Sequence, residues 1–309
     1  MEFKKVEDIE ISHATKLVEL VEQFSRIGGF VAKKVWVASN ILDEMFKEKD
    51  CLKFLSFPAC IVATGLRGVI KDLIRKKLFN VVITTCGTLD HDLARIWKDY
   101  YQGSFLMDDR ELRKKGINRL GNVLVPDESY GLIIEEKMNE FLDELYASGK
   151  KELASYELVW ELGKWVGEEG KNSIIYWCYK RKVPMIVPGI TDGAVGYQLW
   201  QFWQEHKDFN INVLRDEQLL SDLVWNAKKS GALMIGGGIS KHHTIWWNQF
   251  KDGLDYAVYI TTAVEWDGSL SGARTREAIS WKKLKSNAKH VTVEGDATVL
   301  LPLIVSKFL

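Results

Sequence analysis

Short apolar runs alternate with longer amphipathic runs along most of this chain, and that alternation constrains the fold more than any other feature. The runs at 52–57, 81–84, 185–187, 233–235, 257–260 and 291–294 are mostly rich in Val, Ile or Leu and read as buried strands. Between them, segments 65–77, 91–100, 135–146, 151–165, 193–206, 216–228, 241–251 and 297–308 carry apolar residues at helical spacing. Two helices are expected ahead of the first strand. One spans 6–24, and one follows the break at Gly28-Gly29 and spans 39–49 with Ser39 or Asn40 as its cap. Strand–helix alternation without a linker or repeat predicts an α/β fold, Rossmann-like and doubly wound, with a mostly parallel sheet and helices on both faces. Residues 51–309 form this domain and residues 1–50 a helical N-terminal extension.

The residues that follow the strands point to a ligand. They read Thr84-Thr85-Cys86-Gly87-Thr88, Pro188-Gly189-Ile190-Thr191-Asp192-Gly193, Gly236-Gly237-Gly238-Ile239-Ser240, Thr261-Thr262-Ala263 and Gly295-Asp296-Ala297-Thr298. In open α/β sheets the ligand crevice lies at the carboxyl ends of the strands. Glycine lets backbone N–H groups approach a phosphate, and a following helix N-terminus favours its charge. A nucleotide or dinucleotide is the natural occupant, against the alternative that these glycines only make tight turns. No standard fingerprint is present. Lys241 stands where the third Gly of the dinucleotide motif belongs, and Gly149-Lys150 lacks the flanks of a Walker loop.

Composition removes other classes. The 42 basic residues equal the 42 acidic ones, which argues against wrapping a nucleic acid. The apolar stretch 299–305 falls far short of the ~20 residues that span a bilayer. The charged start predicts no signal peptide, so a cytoplasmic protein without a membrane partner is expected. Cys51, Cys60, Cys86 and Cys178 make no Cys-x-x-Cys pair, and adjacent His242-His243 cannot share a helical face, so no metal site is expected.

The densest polar and aromatic cluster runs from Glu265 through Trp266, Asp267, Gly268, Ser269, Leu270 and Ser271 to Arg274, and on through Glu277 to Trp281-Lys282-Lys283. A lysine becomes an imine-forming nucleophile when burial or a neighbouring cation lowers its pKa. Glu277 and Trp281, four residues apart, would share a face on a helical turn and could grip an amine by charge and by cation–π attraction. The alternative is a solvated loop with two surface lysines. His242, placed at a helix start, is either a base kept neutral by the dipole or a structural cap.

These segments resemble deoxyhypusine synthase. The resemblance rests on Gly236-Gly237-Gly238-Ile239-Ser240-Lys241-His242-His243, Asp267-Gly268-Ser269-x-Ser271-Gly272-Ala273-Arg274 and Glu277-Ala278-Ile279-Ser280-Trp281-x-Lys283, with Gly116-Ile117-Asn118-Arg119-Leu120-Gly121-Asn122 and Thr191-Asp192-Gly193 in support. It runs from about Cys51 to the C-terminus and looks archaeal.

The resemblance implies an NAD-dependent transferase. Spermidine gives a hydride to NAD, and Lys283 captures the aminobutyl unit as an imine with release of diaminopropane. The unit then passes to a lysine of the translation initiation factor 5A precursor. By position, His242 matches the family's active-site histidine. Glu277 and Trp281, with Gly268 and Ser269 beside them, match its polyamine grip. Ala59, Cys60, Ala63, Thr85, Gly87, Asp192, Gly237, Gly238, Thr262, Ala263, Asp296 and Ala297 match its NAD contacts. The family also implies a homotetramer with active sites at subunit interfaces.

The sequence departs from the eukaryotic pattern. Leu270 and Tyr197 stand where acids that bind a polyamine are expected, and His91, flanked by Asp90 and Asp92, stands in place of a Glu. Trp246 replaces an Asn and Lys282 a Gly. The altered acids leave a second reading open, a homospermidine-synthase-like transferase acting on a small amine.

Overall fold

The computed structural model describes residues 3–309. The chain divides into two compact units, Met1–Ser56 with Ser221–Leu309, and Phe57–Leu220. No helix among the described residues is long and apolar enough to cross a membrane.

The first unit is built on four parallel strands, in the order Leu284–Glu294, Leu254–Thr261, Lys229–Ile235 and Cys51–Ser56. The register sets Leu55 beside Leu233, Val258 beside both Leu233 and Val291, and Thr261 beside Glu294. Phe54, Leu55, Leu233, Val258, Tyr259 and Val293 are fully buried between the strands and their helices. Helix Phe30–Lys47 lies on these strands through Val35, Ala38, Ile41, Leu42 and Met45, the three-to-four spacing of one helical face. It approaches so closely that a Cβ on Gly231 would meet the Met45 sulfur at 2.6 Å.

This helix starts at Phe30 rather than at Ser39, because Gly29 is its cap and Ser39 is a buried interior residue. The helix expected over 6–24 shrinks to Leu17–Gln23. The preceding residues fold back instead. Gln23 exchanges side-chain hydrogen bonds with the Glu10 backbone at 2.8 and 3.0 Å, and Arg26 pairs with Glu7. The strand expected over 291–294 extends back to Leu284. Its first half is polar, with Lys285, Ser286, Asn287 and Lys289, because it forms a sheet edge, where charge hinders pairing with another chain.

The second unit pairs strands Val81–Ile83 and Met185–Ile186 in parallel, with Val82 beside Met185 and Ile83 beside Ile186. Helices Arg67–Arg75 and Ala194–Glu205 fall inside their expected spans, while Cys86–Trp97 and Gly131–Ala147 start five and four residues earlier than expected and Ser155–Trp165 four residues later. Helix Ile174–Arg181 and the antiparallel ribbon of Tyr101–Gln102, Val123–Pro126 and Ile117–Leu120 were not anticipated. Gly163 lets two helices touch, since a Cβ there would lie 2.4 Å from the Ile175 carbonyl.

Buried charge links three helices of this unit. Arg67 Nε donates to Asp92 at 2.6 Å, and the other Asp92 oxygen accepts the Ile175 N–H at 2.8 Å. Removing one partner of such a pair strands the other charge in the interior. Arg67→Met is therefore expected to destabilise the protein by about 3–5 kcal/mol, read as a lower urea midpoint. An unchanged midpoint would show that the Asp92 charge is compensated elsewhere.

Candidate active site

A cavity of about 180 Å³ opens in the first unit and gathers Lys283, His242, Glu277 and Trp281 with Leu270. The turn that delivers Lys283 explains the geometry. Helix Glu277–Ser280 ends at Trp281, and Lys282 follows with φ of 56°. The Lys282 N–H donates to Ile279 and the Lys283 N–H to Ala278, both at 3.0 Å, which is the Schellman closure of a helix. The Lys283 carbonyl then accepts the Leu254 N–H at 3.2 Å and enters the sheet. Lys282 thus occupies the left-handed position that glycine usually fills, with its side chain exposed, while the half-buried Lys283 lines the cavity. The Lys283 ammonium lies 5.3 Å from the Trp281 ring centre, within cation–π range, and 64% of Trp281 stays exposed.

His242 is half-buried in helix Gly238–Asn248. Burial lowers its pKa first, and the nearby positive charge of Lys283 lowers it further. The sequence reading reached the same direction from the helix dipole. The helix begins at Gly238, however, so His242 sits past the first turn, where the dipole has faded. Gly268 and Ser269 lie on the exposed loop after strand Leu254–Thr261, where Asp267 accepts from the Ser269 N–H and hydroxyl at 2.8 and 2.9 Å.

The same unit carries half of the residues matched to NAD contacts. Gly237 and Gly238 open helix Gly238–Asn248 without a side-chain cap, so its first N–H groups stay available to an anion. Gly238 has φ of 73° and open space around it. Thr262 and Ala263 follow strand Leu254–Thr261, and the Ala263 N–H donates to Thr261 Oγ1. Asp296 caps helix Ala297–Val305 by accepting the Thr298 N–H at 2.9 Å. An uncapped helix start behind glycines and an acid at the end of a later parallel strand suit a dinucleotide's pyrophosphate and ribose.

The other half lies in the second unit. Thr85 precedes helix Cys86–Trp97, and its hydroxyl accepts the Ala59 N–H at 3.2 Å. A Cβ on Gly87 would meet the Ala59 Cβ at 2.9 Å, so the start of this helix touches the loop that carries Ala59. Ala59 and exposed Cys60 lead into a π-helical turn, Val62–Leu66, that contains Ala63. Asp192 is exposed at the end of its loop.

The structure gives Asp90 a local task. Fully buried, it accepts the N–H groups of Ala194 and Val195 at 2.9 and 2.8 Å and the Tyr130 hydroxyl at 2.7 Å. It therefore anchors the start of helix Ala194–Glu205, although burial raises its pKa. His91 packs beside it with Nδ1 2.8 Å from the Tyr100 hydroxyl, and burial pushes it down to about 4, so it is neutral near pH 7. Tyr197 is exposed on that helix, its ring 5.5 Å from Trp200.

Sequence reasoning did not give Lys241 a place in the cavity wall. Lys241 is only 3% exposed, and burial pushes its pKa down to about 7. A signal existed, because Lys241 shares the inward helical stripe of Thr244, Ile245 and Asn248.

Comparison with known proteins agrees with the family resemblance. The family model for deoxyhypusine synthase matches residues 19–308. A probable deoxyhypusine synthase of Picrophilus torridus is 60% identical over 304 residues, 98% of this chain and 96% of that protein. Its namesake in Thermoplasma acidophilum is 58% identical over 306 residues, 99% of this chain and 97% of that protein. A crystal structure from Entamoeba histolytica, provisionally named as a deoxyhypusine synthase, superposes with a TM-score of 0.66 at 19% identity, covering 98% of this chain and 96% of that one. The complex of AgrE with ornithine and NAD+ shares the fold at a TM-score of 0.55 and 13% identity, over 91% of this chain and 34% of that one.

Two measurements check this geometry. A neighbouring cation disfavours the imidazolium, so Lys283→Met is expected to raise the His242 pKa in an NMR titration, though not fully to its ordinary value because burial remains. An unmoved midpoint would mean that the Lys283 charge does not reach the ring. Lys282→Gly relieves left-handed strain but loosens the unfolded chain, so stability should change by no more than about 1 kcal/mol. A larger loss would show that the Lys282 side chain carries structure.

Proposed function

The chain belongs to the deoxyhypusine synthase family and is an aminobutyl transferase of that kind, and we propose that Lys283 is its nucleophile, with spermidine as donor and a lysine of the translation initiation factor 5A precursor as acceptor. The observation that carries this reading is the Schellman turn, which aims Lys283 into the cavity shared with Glu277, Trp281 and His242.

The Glu277 carboxylate and the Trp281 face hold the ammonium of the polyamine. His242, kept neutral by burial and by the Lys283 charge, accepts a proton from the reacting amine. NAD, when bound, supplies the hydride acceptor and is regenerated within the cycle. The Lys283 amine attacks the imine carbon of the dehydrogenated donor, and the bond to the diaminopropane nitrogen breaks. Diaminopropane takes up the proton and leaves, and the four-carbon unit stays on Lys283 as an imine. The acceptor lysine then displaces Lys283, which leaves as the free amine, and the hydride first removed from the donor would return to the imine now on the acceptor, giving a secondary amine with no net oxidation.

The residues matched to NAD contacts are Ala59, Cys60, Ala63, Thr85, Gly87 and Asp192 of the second unit and Gly237, Gly238, Thr262, Ala263, Asp296 and Ala297 of the first. Gly268, Ser269 and Leu270, on the loop beside the cavity of the first unit, border the donor. Asp90 contributes by anchoring the helix that carries Tyr197. All these residues fall within 51–309, the span proposed for catalysis, and the enzyme acts as a cytoplasmic homotetramer.

Lys283→Arg keeps the cation but forms no stable imine. With spermidine, NAD and borohydride it is expected to lose the trapped adduct and the release of diaminopropane. Persistent labelling would move the nucleophile to Lys282 or Lys241. Offering factor 5A precursor and putrescine together to the wild type is expected to place the label on the protein. Predominant homospermidine would instead favour the small-amine reading that Leu270 and Tyr197 motivate.

A further inference from the structure

The cavity holds a second lysine that the mechanism does not use. Lys241 is buried, and both of its hydrogen-bond acceptors are neutral. Its ammonium donates to the carbonyls of Leu270 at 2.9 Å and Ala273 at 2.6 Å, and sits 3.7 Å from the centre of the Tyr259 ring.

The two carbonyls between them are also held by side chains. The Ser271 carbonyl accepts from the Tyr259 hydroxyl at 2.7 Å and from Thr261 Oγ1 at 3.0 Å, and Arg274 Nη1 donates to the Gly272 carbonyl at 2.9 Å. Four consecutive carbonyls, 270 to 273, are therefore fixed by side-chain donors. The loop is pressed down as well, because a Cβ on Gly237 would meet Ser271 Oγ at 2.2 Å. Leu270 and Ala273 form one wall of the cavity that contains Lys283, and Glu277 follows a few residues later.

We infer that Lys241 is a positioning residue, a buried amine that holds the 270–273 loop against the scaffold and so sets the shape of the amine-binding wall. Its protons point at carbonyls and at a ring face, so it is not poised to attack an imine. Lysine is suited to this place because one ammonium can reach two carbonyls three residues apart and still lie on an aromatic face. This inference rests on the transferase reading, and wild-type turnover of spermidine tests that reading separately.

The test compares wild type with Lys241→Met, Lys241→Arg and Tyr259→Phe. Lys241→Met loses two buried hydrogen bonds and should raise the KM for spermidine on the order of tenfold or more, with kcat much less affected. At saturating spermidine, borohydride should still label Lys283. Amide hydrogen exchange should quicken across the 270–273 loop. Lys241→Arg, which keeps a cationic donor, should recover part of the KM. Tyr259→Phe removes only the hydroxyl bond to Ser271, so it should raise KM in the same direction and serves if Lys241→Met does not fold. The double variant should be less than additive. Loss of the Lys283 adduct at saturating donor would overturn the inference by making Lys241 catalytic. A fall in kcat and in thermal stability with KM unchanged would reduce it to a structural role.

Discussion

The parallel pairing of strand Leu254–Thr261 between Lys229–Ile235 and Leu284–Glu294 is the constraint on which the site depends. Candidate site residues of the first unit hang from the ends of these strands. Lys283 leads into one, the loop with Gly268 and Ser269 leaves another, and the helix carrying His242 follows the third. The pairing is stable because both faces are covered, with Val258, Tyr259 and Leu233 fully buried. Small adjustments in the loops therefore reshape the cavity without disturbing its frame.

The electrostatics of that cavity are less obvious than an amine-binding role suggests. Lys241, Arg274 and Lys283 all line it, against Glu277. Two of these side chains are engaged. Arg274 lies 3.5–3.6 Å from Glu265 and Glu294, and Lys241 is turned toward carbonyls. His242 is held below its ordinary pKa first by burial and then by the Lys283 charge.

Much of the frame was legible in the sequence because its signals are local. Val, Ile and Leu runs marked the buried strands, and Gly and Thr marked their ends. What escaped depended on tertiary context. Residues 284–290 look like a loop, but their polarity is that of an edge strand. Ser39 looks like a cap, yet it is buried inside a helix whose true cap is Gly29. Residues 6–16 have helical spacing but spend their hydrogen bonds partly on Gln23. At the site, the motifs singled out Lys283, His242, Glu277 and Trp281. They did not reveal that Asp90 is occupied as a helix anchor or that Lys241 lies behind the loop, because each depends on residues distant in the chain.

The Schellman turn ahead of Lys283, the proposed nucleophile, has an evolutionary consequence. Lys283 is aimed by backbone hydrogen bonds from positions 282 and 283 to 279 and 278, none of which involves the side chain of residue 282. That position can drift among residues that tolerate a left-handed backbone, such as Gly, Asn, Asp or the Lys found here, while the neighbouring amine stays where chemistry needs it. Selection acting on residue 282 is thus a filter on backbone conformation, and β-branched side chains are the ones it excludes.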